Sequence, residues 1–327
     1  MIGGQSSKAV RRLRSVAALS ATALLLVAGS GTASGAVTDG RIAYQRTSAA
    51  GSHDIWTINP DGTGARRLLV AADRLRYSPT GDRILFVKTI NGVPRLVLAN
   101  ADGTTRTVLA GSWTGGDWSP DATRLVTTRI VNGHSELFVR AVARGAATQL
   151  TRRGDQGCDA TEPDWGPNGV LYAVHCPRSS FPVAIPGKTQ IHQAQLPGLA
   201  LEADTTRLFK LSDFDRTSMN QFVRAPRWTA TGDILFTGCV QPSRSHCNEN
   251  ARYNIFRIDA AGLRALTAVP DDRIDTGYTH AVPAPAGPDY AVTANLPVQY
   301  GIQIHPRRNT IDPVGGAVQD WQPVPAP

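Results

Sequence analysis

An aromatic residue, a turn and an apolar strand follow one another again and again between Tyr77 and Trp321. The copies read Arg76-Tyr77-Ser78-Pro79-Thr80-Gly81-Asp82, Asp117-Trp118-Ser119-Pro120-Asp121, Asp164-Trp165-Gly166-Pro167-Asn168, Arg227-Trp228-Thr229-Ala230-Thr231-Gly232-Asp233 and Asp320-Trp321-Gln322-Pro323. A degraded copy is Pro283-Ala284-Pro285-Ala286-Gly287. A repeat of this period implies an array of one supersecondary unit, in which each unit buries its apolar face against the next.

The copy at Trp118 shows what the unit is. Asp117-Trp118 starts a strand, and Ser119-Pro120-Asp121-Ala122 carries turn residues: Pro presets one dihedral angle, while Ser and Asp bond their own backbone. Arg124-Leu125-Val126-Thr127-Thr128-Arg129-Ile130 is rich in β-branched residues, and Asn132-Gly133 follows as a hairpin signal. Glu136-Leu137-Phe138-Val139-Arg140 makes a third strand and Thr148-Gln149-Leu150 a fourth. Four antiparallel strands per repeat are the blade of a β-propeller. Asn59-Pro60-Asp61-Gly62 and Asn100-Ala101-Asp102-Gly103 are read as hairpin turns, because neither supplies the spaced oxygen ligands and distal carboxylate of a calcium loop.

Tyr77, Trp118, Trp165, Trp228, Pro283 and Trp321 are separated by 41, 47, 63, 55 and 38 residues. Trp321 stands six residues from the C-terminus, with no room for a blade behind it, whereas Gly40-Arg41-Ile42-Ala43-Tyr44 reads as a second strand lacking a first. Joining the two ends resolves both. The expectation is an all-β fold, a six-bladed propeller of four-stranded antiparallel blades, closed by pairing of the C-terminal strand with the N-terminal blade. Closure removes the sheet edges that invite aggregation.

At 327 residues and 41% hydrophobic composition, the chain can form such a closed fold as one domain, and Gly 31 and Pro 22 supply its many turns. Residues 1–36 read as a secretory signal peptide: Lys8, Arg11, Arg12 and Arg14 precede an apolar run over residues 16–28, then small residues. That run is too short and Ala-rich for a membrane span. Cleavage is expected after Ala36, with Ala33 and Ala28 as alternatives. Arg11-Arg12 invites a twin-arginine reading, but Leu13-Arg14-Ser15 puts a charge where that signal wants apolar residues. No cysteine near the cleavage region supports a lipid anchor. The propeller is assigned to residues 37–327, where the net charge falls from +8 to +4. Scattered Lys and Arg, without runs or interleaved aromatics, argue against a nucleic-acid partner. Cys158, Cys176, Cys239 and Cys247 all lie in the exported part and suggest two disulfides; Cys158 with Cys176 and Cys239 with Cys247 are the favoured pairs of three connectivities. Zinc is disfavoured by the lack of Cys-x-x-Cys or paired His spacing.

The phrase Asp117-Trp118-Ser119-Pro120-Asp121, with Leu150-Thr151 and Leu266-Thr267 at the ends of outer strands, resembles the repeats of TolB-type β-propellers over roughly residues 40–323. In that family an α/β domain precedes the propeller. Residues 37–40 leave no space for one, so a role in an outer-membrane Tol complex is not expected to carry over. The repeat also precedes peptidase domains of the prolyl oligopeptidase group, but this chain has no Gly-x-Ser-x-Gly elbow and no downstream α/β segment.

Strand alternation suggests which side chains line the central channel. If the aromatic anchor packs between blades, residues one and three positions before it face the axis. These are Arg74 and Arg76, Gly115 and Asp117, Glu162 and Asp164, Ala225 and Arg227, His280 and Val282, and Val318 and Asp320. The charged members and His280 form a candidate ligand-binding site, weighed against a purely structural ring of ion pairs. The longest insertions, residues 177–190, 197–205 and 240–253, are further recognition candidates. Within the last of them, Arg244 and His246 inside the proposed Cys239–Cys247 loop and Asn248 and Asn250 just after it are candidate loop contacts. His53, His134, His175, His192, His246 and His305 lack metal spacing and are expected at the surface, and Asp213-Phe214-Asp215 is read as a capped loop. The sequence thus describes a secreted or envelope-associated, non-catalytic scaffold that recognises a protein or cell-envelope component, with no cofactor and no metal. A hydrolase or lyase using Asp117, Asp164 or Glu162 with His280 is the alternative.

Overall fold

The computed structural model describes residues 37–48, 51–143, 145–176, 189–194, 205–210, 222–239, 253–268, 277–296, 299–306, 309–312 and 316–325. Among these, the regular structure is β throughout apart from one 3-10 turn, Arg153–Gln156. The signal segment, most of the three insertions, Asp213, Asp215, Cys247 and the loop candidates Arg244, His246, Asn248 and Asn250 lie outside the described residues.

The strands form a β-propeller. One four-stranded sheet runs in the order β24 (Ala317–Pro325), β1 (Val37–Thr47), β2 (His53–Ile58), β3 (Arg66–Leu69). A second holds β4 (Asp73–Tyr77), β5 (Arg83–Ile90), β6 (Val93–Asn100) and β7 (Thr107–Val108). The third comprises β8 (Gly115–Trp118), β9 (Arg124–Val131), β10 (His134–Ala141) and β11 (Thr148–Gln149), and the fourth β12 (Asp159–Gly166), β13 (Gly169–His175), β14 (Thr189–Ala194) and β15 (Thr205–Lys210).

The other eight strands depart from the expected separate blades, because they make one continuous sheet. These are β16 (Phe222–Trp228), β17 (Ile234–Cys239), β18 (Tyr253–Asp259), β19 (Gly262–Ala265), β20 (Gly277–Pro283), β21 (Tyr290–Leu296), β22 (Gln299–His305) and β23 (Asn309–Asp312). Its two antiparallel halves join at a single parallel bridge, Tyr253 with Gly277. Glycine permits this approach: a Cβ on Gly277 would stand 2.5 Å from the Tyr253 carbonyl oxygen. Four separate four-stranded sheets and one eight-stranded sheet are therefore present where six equal ones were expected.

Turn chemistry follows the sequence. Val131 pairs with His134 and Ile90 with Val93, leaving Asn132-Gly133 and Asn91-Gly92 as two-residue hairpins. Both residues of each turn have positive φ, 50° and 87° in the first, which Asn and Gly adopt most cheaply. In the Asp-Gly turns, Asp61 Oδ1 accepts from the Thr63 backbone N–H at 2.8 Å, and Asp102 Oδ1 from that of Thr104 at 2.9 Å. Each carboxylate thus serves its own loop.

The C-terminal strand meets the N-terminal one as expected. Ile42 lies opposite Trp321 and Val37 opposite Pro325. The Trp321 indole donates to the Gly40 carbonyl at 3.1 Å, and Gln322 Nε2 to the Gly81 carbonyl at 2.7 Å. Trp321 is buried with Ile42, Tyr44, Val282, Ala291 and Ile302 between the first sheet and the β20–β22 meander. Similar apolar clusters fill the spaces between the other sheets. Each large side chain removed from water there contributes about 1.5–3 kcal/mol.

The innermost strands contact one another in the order β24, β4, β8, β12, β16, β20 and back to β24. In β4, β12, β16 and β20 the pairing slips between the residue four before the anchor and the one just before it. These β-bulges hold Arg74, Glu162, Ala225 and His280 at φ of 50–54°. The expected strict alternation is thus broken where it was used to assign channel residues.

Candidate functional site

Five of the six residues that stand just before an anchor, Arg76, Asp117, Asp164, Arg227 and Asp320, are polar and join neighbouring innermost strands. Asp320 Oδ2 accepts the Tyr77 backbone N–H at 2.6 Å, Asp117 Oδ2 that of Trp165 at 2.7 Å, and Asp164 Oδ2 that of Trp228 at 2.7 Å. Each aspartate therefore ties its own innermost strand to the anchor of the next. Asp164 Oδ1 also takes the Arg227 guanidinium at 3.0 Å, with Arg76 at 3.8 Å. Arg227 further donates to the Gln319 carbonyl at 2.9 Å, linking β16 to β24 past β20. The side chains of Arg76, Asp164 and Arg227 are only 10–13% exposed.

Low solvation governs the charges of this ring. Burial pushes the Asp164 and Asp320 carboxyls up to about 6, and Arg76 opposes the shift in both. Asp117 is pushed well above the usual carboxylate range by burial; Arg76 again opposes, while Asp164 and Asp320 add to it. A set of acids held partly protonated among two arginines can store or pass a proton, or hold a small charged group.

One turn of strand earlier the residues divide. Arg74 is exposed and donates to the Thr114 carbonyl at 2.6 Å. Glu162 accepts the Ala225 backbone N–H at 2.6 Å, again between neighbouring sheets. His280 donates its backbone N–H to Thr237 Oγ1 at 3.2 Å, and its imidazole meets Thr279 Oγ1 at 3.0 Å. Burial, aided by Arg224, holds the His280 imidazole down to about 3. Val282 and Val318, expected to face the axis, are instead buried in the inter-sheet core with Ile42, Tyr44 and Trp321.

Two of the six histidines expected at the surface are also buried. His192 bonds Gln190 Oε1 at 2.9 Å and meets Arg153 at 3.2 Å. His305 stacks on Tyr290 and meets Tyr278 edge-on. The apolar partners that buried them come from other strands, so local sequence did not reveal them. Gln319, Arg224 and Thr237 join the site without having been expected there; a bulge has no signature in strands this short. Cys158 and Cys176 form a disulfide. No group of three or more His, Cys, Asp or Glu side chains among the described residues could hold a metal ion. No helix among them is long and apolar enough to cross a membrane.

This fold is that of the TolB β-propellers. The chain is similar to TolB from Acinetobacter baumannii, at 19% identity and a TM-score of 0.60 over 86% of this chain and 66% of that one. It is likewise similar to a putative TolB from Agrobacterium tumefaciens, at 14% identity and a TM-score of 0.54 over 81% of this chain and 84% of that one. It therefore spans just under two thirds of the first protein, and at these identities the likeness concerns the fold alone. No protein-family model and no curated protein sequence matches the chain.

Proposed function

We propose that the protein is a secreted or envelope-associated binding scaffold, exported by residues 1–36, whose remaining chain is a six-bladed propeller recognising a protein or cell-envelope component. Support for six blades comes from the six innermost strands contacting one another in a closed series, and from the eight-stranded sheet dividing at its single parallel bridge into two four-stranded halves. Export is supported by the basic and apolar order of residues 8–28 and by the Cys158–Cys176 disulfide, which belongs in an oxidising compartment.

The observation that carries the scaffold reading is how the ring spends its polar groups. The aspartates accept backbone N–H groups of neighbouring sheets, and Arg227 bonds a carbonyl beyond the adjacent strand. Such a ring builds rigidity into the propeller, and recognition falls to its ends and loops. Arg74, Glu162 and His280 at one end of the channel and Arg244, His246, Asn248 and Asn250 in the insertion are the contacts proposed.

The raised Asp164 and Asp320 favour a second reading, a hydrolase or lyase with these acids as proton donors and His280 as partner. Their engagement in inter-sheet bonds weighs against it. Immobilised protein is expected to enrich one partner from culture supernatant or cell-wall fractions. Arg74→Ala or Arg244→Ala should lose that partner and Asp117→Asn should retain it. No enriched partner, or turnover of a cell-wall polymer abolished by Asp164→Asn, would replace the scaffold reading by the catalytic one.

A further inference from the structure

The repeat exposes a series at the residue just before the second strand of each unit. Ile42, Ile84, Leu125, Val170, Ile234 and Tyr290 lie opposite Trp321, Tyr77, Trp118, Trp165, Trp228 and Pro283. Arg41, Arg83, Arg124, Gly169, Asp233 and Asp289 therefore occupy one equivalent position. The Arg83 guanidinium lies 4.8 Å from the Trp118 ring centre and that of Arg124 5.0 Å from the Trp165 ring centre. In both cases a cation covers the anchor of the following sheet, the geometry in which an indole attracts positive charge most strongly.

The next member of the series breaks it. Gly169 stands where an arginine would cover Trp228, in a turn two residues shorter than the one before it. It offers its carbonyl, which accepts the Trp228 Nε1–H at 3.0 Å, and no cation among the described residues is stacked on this indole. Trp118 and Trp165 are buried, whereas Trp228 is half-buried. An open cleft of about 800 Å³ lies at this point, walled by Asp121, Arg124, Trp165, Trp228, Asp233 and Asp259.

The charges of the cleft are unequal in availability. Asp233 is met by Arg257, and Asp259 by Arg257 and Arg264. Asp121 is exposed; its hydrogen bonds from Ser119 and Thr123 keep its carboxyl below the usual range, so it stays ionised. An incoming cation would thus find an aromatic face and one exposed carboxylate that, although hydrogen-bonded to Ser119 and Thr123 and near Arg124, is in no salt bridge among the described residues, in a space larger than a single side chain.

We infer that this cleft binds an arginine side chain of a peptide partner, its guanidinium taking over Trp228 the place that Arg83 and Arg124 take over Trp118 and Trp165. The inference rests on the scaffold reading and names one site and one ligand chemistry for it.

Titration of the ¹⁵N-labelled protein with acetyl-Gly-Gly-Arg-Gly-Gly-amide tests it, read at the Trp228 indole N–H resonance, which Trp228→Phe identifies by its disappearance. A saturable shift is expected. The citrulline peptide, equal in shape but neutral, should bind at least roughly tenfold more weakly, and Asp121→Asn should weaken the arginine peptide several-fold. An equal response to citrulline, no saturable shift at tens of millimolar, or a shift caused by maltose and not by the arginine peptide would overturn the assignment. A silent resonance in a protein that still captures its partner refutes the cleft and spares the scaffold; a responding resonance with no captured partner does the reverse.

Discussion

Asp164 of β12 holds Trp228 of β16 by its backbone: Oδ2 accepts the Trp228 N–H at 2.7 Å while Oδ1 receives Arg227 at 3.0 Å. One carboxylate thereby sets the spacing of two neighbouring sheets and neutralises a buried guanidinium. Asp117 with Trp165 and Asp320 with Tyr77 repeat the first half of this arrangement, in sheets whose anchors have an N–H to give. Pro283 has none, and the preceding unit carries Arg227 at the aspartate's position.

Asp164→Ala is expected to cost about 3–5 kcal/mol, because it takes the carboxylate from buried Arg227, weakens the charge balance around Arg76 and leaves the Trp228 N–H without its acceptor. Asp117→Asn should change stability by less than about 1 kcal/mol at neutral pH, since the amide oxygen can still accept from Trp165 and no buried charge is lost from an acid already pushed toward its neutral form. Urea unfolding of the two variants checks the contrast; equal losses would show that the arginine pairs contribute nothing.

The ring also makes stability depend on pH. With the Asp320 carboxyl raised to about 6 when folded, the native protein binds more protons than the unfolded chain between the ordinary carboxylate range and pH 6. Its contribution is therefore present at low pH and lost as pH rises through 6. His280, held down to about 3, acts oppositely: its contribution is lost as pH falls below 6.5. The two are separated by comparing variants. The stability of Asp320→Asn relative to the parent should worsen by on the order of 2 kcal/mol from pH 7 to pH 4, and that of His280→Gln should improve. Unfolding midpoints at each pH decide; parallel curves would refute both.

Deleting residues 316–327 removes the β24 ladder and the Trp321 indole from the Ile42 cluster. Loss of a buried Trp alone costs about 3–5 kcal/mol, so the truncated protein should melt far lower than the parent. An unchanged thermal midpoint would mean that the terminal strand is not what closes the first sheet.

Much of the architecture was legible in short stretches. Asn132-Gly133 specified its hairpin, the recurring aromatic its buried anchor, and the orphan strand at Ile42 its partner at Trp321. The site was legible only halfway. Counting back from the anchors picked out Asp117, Asp164, Arg227 and Asp320, which join neighbouring strands, but it also picked out Val282 and Val318, which are buried in the apolar core through contacts made only by other strands. The gap over Trp228 emerged only when register aligned Arg83, Arg124 and Gly169.

By itself the sequence determined the repeating unit, its turns and the pairing of its ends, since these follow from the intrinsic dihedral preferences and period-two patterning of neighbouring residues. Tertiary structure alone decided which aspartate holds which anchor, which acids are raised, and where a tryptophan lacks its cation. Those are contacts between residues 48, 64 or 243 positions apart. Their energies depend on solvent exclusion and distance, which arise only once the sheets have packed.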